Sequence, residues 1–282
     1  MIPQFRERSA RNRRRLISQG LLGQQSAYLP EIEPLVEPEE PPVLEPRIGP
    51  VEPEERFRPT RPTAGLAAVR HLLSLSEPLT WVFTGDNLAQ GGRYTEGCRS
   101  LCEHFGERIR CEMARHLDVV INTGVSGDNV RRLLRNFDWR VLRFRPNVVA
   151  VSVGMNDAKE GRKGRDAFRR QLREILDRIR TADAIPLLQT PNAICPSAVS
   201  NRADLPAYVD ILRDEAARVD LPLIDHWEHW HRLTDETTRQ QWLGDGRIQP
   251  GPEGHRELAR LLFHELGIFD PASPTCRIAP SA

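Results

Sequence analysis

The chain has 282 residues, 39% of them hydrophobic, which is enough for one domain of about 200 residues with a sizeable core. Its 40 basic and 39 acidic residues leave a net charge of +1, which argues against a general nucleic-acid or membrane-surface role. The five cysteines (Cys98, Cys102, Cys111, Cys195 and Cys276) form no C-x-x-C pair and no zinc-like spacing, so free thiols, no cofactor and no metal are expected.

Residues 1–27 form an arm with six arginines between positions 6 and 15. No apolar signal-peptide core follows them, since Leu16–Gly23 is short and polar, and no run approaches the roughly 18 apolar residues of a membrane span. A cytoplasmic protein without a transmembrane segment is therefore expected. Residues 28–64 read as an extended, mostly disordered linker, with nine Glu and seven Pro between Glu31 and Glu55. The arm has the charge to touch nucleic acid, acidic lipid or a partner protein, or to act as a solvated tail that balances the acidic linker.

From residue 65 to 282 strand and helix patterns alternate. Trp81–Thr84 reads as a strand, followed by a helix over Glu96–His116 with Leu101, Phe105, Ile109 and Met113 at helical spacing. Strand Asp118–Asn122 leads to a helix over Asn129–Phe144, and strand Asn147–Val153 to a helix over Asp166–Arg180. Strand Ala184–Gln189 ends at Thr190-Pro191-Asn192. Helix Leu205–Val219, strand Pro222–Asp225 and helix Gly254–Leu266 close the pattern. Five β units alternating with helices predict an α/β fold, a three-layer α/β/α sandwich on a parallel five-stranded sheet of flavodoxin-like order.

Three strands end in glycine and polar residues: Gly85-Asp86-Asn87, Gly124-Val125-Ser126-Gly127 and Gly154-Met155-Asn156-Asp157. Such ends build one pocket outside the carboxyl edge of an open α/β sheet. These residues resemble the SGNH (GDSL-type) hydrolases, a family of esterases, lipases and deacetylases, over roughly residues 78–270. Gly85-Asp86-Asn87 stands where that family has Gly-Asp-Ser, Gly124 matches its second-block glycine, and Gly154-Met155-Asn156-Asp157 matches its Gly-x-Asn-Asp in full. Its last block, Asp-x-x-His-Pro, corresponds here to Asp245-Gly246-Arg247-Ile248-Gln249-Pro250, followed by Gly254-His255.

The resemblance implies a site made of Asn87, Gly124, Asn156, Asp245 and Gln249, with the nucleophile and base positions degenerate. In the family a serine attacks, a histidine takes its proton and an aspartate orients the histidine. A carboxamide at position 87 is a very poor nucleophile, and glutamine at 249 exchanges no proton near neutral pH. Asp245 lies four residues before Gln249, one more than the family spacing. The oxyanion donors implied by the family (the amides of residues 87 and 124 and the Asn156 side chain) are retained. The expected protein is thus a catalytically impaired member of an esterase fold that binds an ester-, acyl- or acetyl-bearing small molecule, glycan or lipid. The rival readings are an active carboxylic-ester hydrolase with a non-standard nucleophile such as Ser126, or with water held by Asp245 and Asn156, and a scaffold protein that acts through its arm.

Other polar residues read as structural. Ser126 is expected to cap the following helix, Ser152 to point into a helix-covered face, and Thr84 to belong to its strand. Asp86 and Asp157 are expected to hold their loops by accepting backbone N–H bonds rather than to act as paired carboxylates for acid/base work. His226-Trp227-Glu228-His229-Trp230-His231 reads as a pocket rim or an aromatic surface patch rather than a metal site. Arg162-Lys163-Gly164-Arg165 suits either a solvated loop or an anionic ligand.

Overall fold

The computed structural model describes residues 64–92, 94–195, 201–244 and 247–277. The Arg-rich arm and nearly all of the linker lie outside the described residues. The linker's last position, Ala64, instead opens a helix, α1 (Ala64–Ser74), that buries Leu66, Val69 and Leu73.

Strands β1 (Thr80–Gly85), β2 (Val119–Asn122), β3 (Val148–Ser152), β4 (Ile185–Gln189) and β5 (Leu223–Ile224) form one parallel sheet. Their order is β2-β1-β3-β4-β5, the flavodoxin-like order expected from the sequence. The chain leaves β1 toward β2 on one side and returns to β3 on the other. The crevice beyond the carboxyl ends of β1 and β3 is therefore the topological switch point, where such folds place their sites.

Side chains alternate across the sheet. Trp81, Phe83, Val148, Ala150 and Leu187 pack into one core layer, while Val82, Val149, Val151 and Leu188 pack into the other. The first layer is covered by α1, α3 (Leu101–Glu107) and α10 (Pro252–Leu266). The second is covered by α4 (Val130–Arg135), α5 (Phe137–Arg140), α6 (Arg165–Thr181) and α7 (Leu205–Arg218). A short helix α2 (Asn87–Gln90) follows β1, while α8 (His226–Leu233), α9 (Glu236–Trp242) and α11 (Pro274–Arg277) complete the described elements. On the second face Glu215 of α7 accepts hydrogen bonds from Arg169 and Arg173 of α6 and from Arg218, tying the two helices together.

Two expected helices are shorter than their apolar spacing suggests. Helix α3 begins only at Leu101, because Glu96 and Gly97 have φ of 51° and 82° and Ser100 with Glu103 forms a capping box. Its last part widens into a π turn over Arg108–Glu112. The helix expected over Asn129–Phe144 is divided at Asn136, whose side chain bonds back to the Arg132 carbonyl at 3.1 Å. A 3-10 segment, Asp157–Gly164, replaces the loop expected around Arg162 and Lys163. Arg165 beyond it pairs with Asp204 rather than standing free for a ligand.

Candidate active site

The end of β1 is shaped by a glycine that no other residue could replace cheaply. Gly85 has φ of 127°, and a Cβ on it would stand 1.8 Å from the Ser152 carbonyl oxygen. That approach lets the Asp86 amide donate to Ser152 O at 3.0 Å, joining the ends of β1 and β3. Asp86 then caps α2, its Oδ1 accepting from Leu88 N at 3.1 Å. Asn87 is the first residue of that helix.

The second loop is fastened to the same strand end, with Thr123 N donating to Phe83 O at 2.8 Å and Val125 N to Gly85 O at 2.9 Å. Gly124 must be glycine because α2 passes over it, at 2.4 Å from the position of a Cβ to Gln90 N. The Gly124 amide donates to Asn122 Oδ1 at 2.9 Å. Arg140 of α5 binds this region from behind. It donates to Thr123 O at 2.6 and 3.1 Å and to Gly85 O at 3.3 Å, and it pairs with buried Asp128.

Asn87 connects all three loops. Its Nδ2 donates to Ser126 Oγ at 2.7 Å, and its Oδ1 accepts from Gly127 N at 2.8 Å and from Asn156 Nδ2 at 3.3 Å. Asn156 also donates to Asp128 O at 3.0 Å. Ser126 is thus bonded to Asn87 and does not cap the next helix as expected; Asn129 does, its Oδ1 accepting from Arg132 N at 3.0 Å. The sequence-predicted residues Asn87, Gly124 and Asn156 therefore share one set of loops.

Gln249 joins the neighbouring part of the site. It is buried in a narrow turn, where Gly244 N donates to its carbonyl at 2.8 Å and Leu243 bridges Pro250. Its side chain lines a small crevice with Asp86, Ser152, Met155, Pro191 and Asn192, and the crevice has essentially no room for a water-sized molecule. Asn192 supports the turn by donating to Ile248 O at 2.9 Å. Ser152 borders this crevice, and its hydroxyl is buried without a hydrogen-bond partner among the described residues. Asp245 lies outside the described residues.

Two carboxyl groups here titrate abnormally. Burial pushes the Asp86 carboxyl up to about 7, and the nearby Asp157 and Asp128 charges add to the rise against the lowering Leu88 hydrogen bond. Burial likewise raises Asp157 to about 6, although Val130 N and Gly154 N both donate to it at 3.0 Å. Asp157 does the loop-holding work expected of it. Asp86 does so with one oxygen only: its Oδ2 is buried without a hydrogen-bond partner among the described residues. The unpartnered oxygen follows from the burial of the β1 end, which no local motif reveals.

His255, next to the last block, is structural. His255 accepts from Leu101 N at 3.1 Å through Nδ1, and burial, with His104 adding to it, lowers its pKa to about 3. It therefore remains neutral and pins α10 to α3. The His-Trp stretch is helix α8, whose outer side carries exposed His231 against partly buried Trp227 at 4.7 Å. His226, His229 and Trp230 turn into the core, Trp230 meets Trp242 edge-on at 5.2 Å, and His226 Nε2 lies 3.0 Å from Gln189 Oε1. Among the described residues no group of His, Cys, Asp and Glu is arranged to hold a metal.

Residues 83–257 match the GDSL-like Lipase/Acylhydrolase family. Among curated proteins the chain is 28% identical over 190 residues to the uncharacterized lipoprotein YqeF of Bacillus subtilis (strain 168), covering 57% of this chain and 78% of that one. Axe2, an acetylxylan esterase from Geobacillus stearothermophilus, superposes with a TM-score of 0.58 at 19% identity, over 70% of this chain and 97% of that one. LAE5, an α/β hydrolase enzyme from the metagenome of Lake Arreo, Spain, gives 0.57 at 22%, over 69% and 99%. Both likenesses are of fold, and the sheet order and its flanking helices are those of the SGNH-type esterases. The chain belongs to the GDSL-like lipase/acylhydrolase family.

Proposed function

We propose that this protein retains the binding scaffold of an ester hydrolase and has lost the acyl-transfer step, so that it binds an ester-, acyl- or acetyl-bearing ligand without turning it over. The observation that supports this most is the bonding of Asn87. At the nucleophile position stands a carboxamide whose oxygen accepts from Gly127 N and Asn156 Nδ2 and whose nitrogen donates to Ser126. Its nitrogen lone pair is delocalised and its oxygen has no proton to surrender. At the base position Gln249 carries no exchangeable proton near neutral pH.

In this reading Asn156 and the amides of residues 87 and 124 are the oxyanion donors; Asn87 Oδ1 is the acceptor that a ligand carbonyl replaces on Asn156, and the Gly124 amide must give up Asn122 Oδ1 to join them. Asp245 keeps at most an orienting role. In a protease of another fold, loss of the nucleophile or base alone costs about 10⁶ in rate, and the residual advantage over water is about 10³–10⁴. Turnover here should accordingly be feeble.

Acetylated carbohydrate is the first ligand to try, because the structural neighbour Axe2 is an acetylxylan esterase and catalytic mutants of it are known at a serine, an aspartate and a histidine. Among the described residues no helix is long and apolar enough to cross a membrane. The lipoprotein relative makes an extracytoplasmic location the second reading beside a cytoplasmic one.

The test combines a fluorophosphonate probe with calorimetric titration of acetylated xylooligosaccharides. The proposal expects no labelling and a binding isotherm that weakens on Asn156→Ala. Covalent labelling at Ser126 or at any other serine would overturn it in favour of an active hydrolase.

A further inference from the structure

A second cavity, of about 560 Å³, lies between the approach to α3, the first turn of α10 and α11. Cys98, Arg99, His104, Glu107, Pro252 and Arg256 line it. Its volume falls within the range of small-molecule sites, roughly 300–1,000 Å³, whereas the crevice beside Gln249 is nearly closed.

The lining favours negative charge. Arg99 and Arg256 both face the cavity, against the single carboxylate of Glu107. Helix α10 has 15 residues, Pro252 at its first turn and no side-chain cap on Gly251, so the positive end of its dipole opens toward the same space. His104 is the independent observation. Its ring lines the cavity while only 5% exposed, and its Nδ1 has no hydrogen-bond partner among the described residues. An unpartnered buried polar atom costs free energy unless something satisfies it. Burial foremost, then the Arg99 and Arg256 charges, lower its pKa to about 4, so the imidazole meets a ligand as a neutral group with one N–H to give.

The present ion pairs do not close the cavity. Arg99 reaches Glu107 at 2.6 Å, but its side chain is 60% exposed, and such surface pairs contribute little and exchange readily. Arg256 is paired with Glu253 in its own helix turn and is held at the wall by it.

We propose that this cavity is a binding site for a small oxyanion-bearing ligand, a phosphate or carboxylate compound, recognised by Arg99, Arg256, His104 and the first turn of α10. It is separate from the Asn87 site and does not depend on the ester-binding reading. The ligand's oxygens take Arg99 from Glu107, and the imidazole N–H of His104 supplies an uncharged donor.

Cys98 provides the readout. It is one of two exposed thiols among the described residues, the other being Cys111. In the full-length Cys111→Ser protein, alkylation of Cys98 by iodoacetamide is followed by mass spectrometry against inorganic phosphate, with citrate as the carboxylate arm and sodium chloride at matched ionic strength. The proposal expects saturable protection of about fivefold or more by at least one anion, the stronger naming the class. It expects that protection to fall about tenfold in apparent affinity on Arg99→Gln or Arg256→Gln. Arg99 is exposed, so its substitution does not threaten folding. An alkylation rate unchanged by both anions, slowing reproduced by sodium chloride, or protection that survives both arginine variants would overturn it.

Discussion

Asn156 Nδ2 lies 3.3 Å from Asn87 Oδ1, so the Asn87 side chain is held as an acceptor by the residue proposed above as an oxyanion donor. The same Asn87 spans to Ser126 and Gly127. These bonds tie three loops together.

Asn87 should therefore contribute to stability as few active-site residues do. Asn87→Ala removes three hydrogen bonds, each worth about 0.5–1.5 kcal/mol net, and should destabilise the domain by about 1.5–4.5 kcal/mol in urea denaturation. A variant as stable as the parent would mean the bonds are absent in solution.

Arg140 is the rear clamp of the site. Asp128 is buried beneath it, and removing one partner of a buried pair costs about 3–5 kcal/mol. Arg140→Ala should lower the melting temperature strongly. Arg140→Lys should rescue only part of the loss, since one ammonium cannot serve Thr123 O, Gly85 O and Asp128 together.

Asp86 gives the pH dependence a definite sign. Its folded pKa, raised to about 7, stands above the unfolded value, so the native state binds the proton more tightly. Its contribution is fully present below about pH 4 and is lost as pH rises through 7. His255, lowered to about 3, acts oppositely: its contribution is present above about 6.5 and is lost as pH falls. Asp86→Asn keeps the Leu88 cap acceptor, so denaturation between pH 5 and 8 should show a flatter decline than the parent. Parallel curves would contradict the assignment.

Gly85→Ala should abolish soluble folded protein, because both the positive φ and the 1.8 Å approach to Ser152 O exclude a side chain. Gly127→Ala, with φ of 78° but nothing within 4 Å of its Cβ, should cost only the backbone strain, about 1 kcal/mol. Circular dichroism of the two variants separates packing from conformation.

The sheet was legible because β1, β3 and β4 are apolar runs ending in glycine or a polar cluster, and because the loop blocks arrive in order. Helices α8 and α9 were not read, since His226-Trp227-Glu228-His229-Trp230-His231 looks like chemistry to a local reading although its Trp230 face packs on Trp242. The division at Asn136 was hidden because the apolar spacing on either side of it continues a helical stripe. The residues of the candidate site were legible individually. Their bonding was not, because Ser126 and Asn87 are 39 positions apart and no motif records that they meet.

The central claim concerns chemistry, and p-nitrophenyl acetate hydrolysis by the purified protein beside an Asn87→Ser/Gln249→His double variant tests it most directly. The account predicts a silent parent and measurable turnover in the double variant, with the donors freed once Asn87 no longer occupies Asn156. Hydrolysis by the parent that falls on Asn156→Ala would contradict it and require another nucleophile.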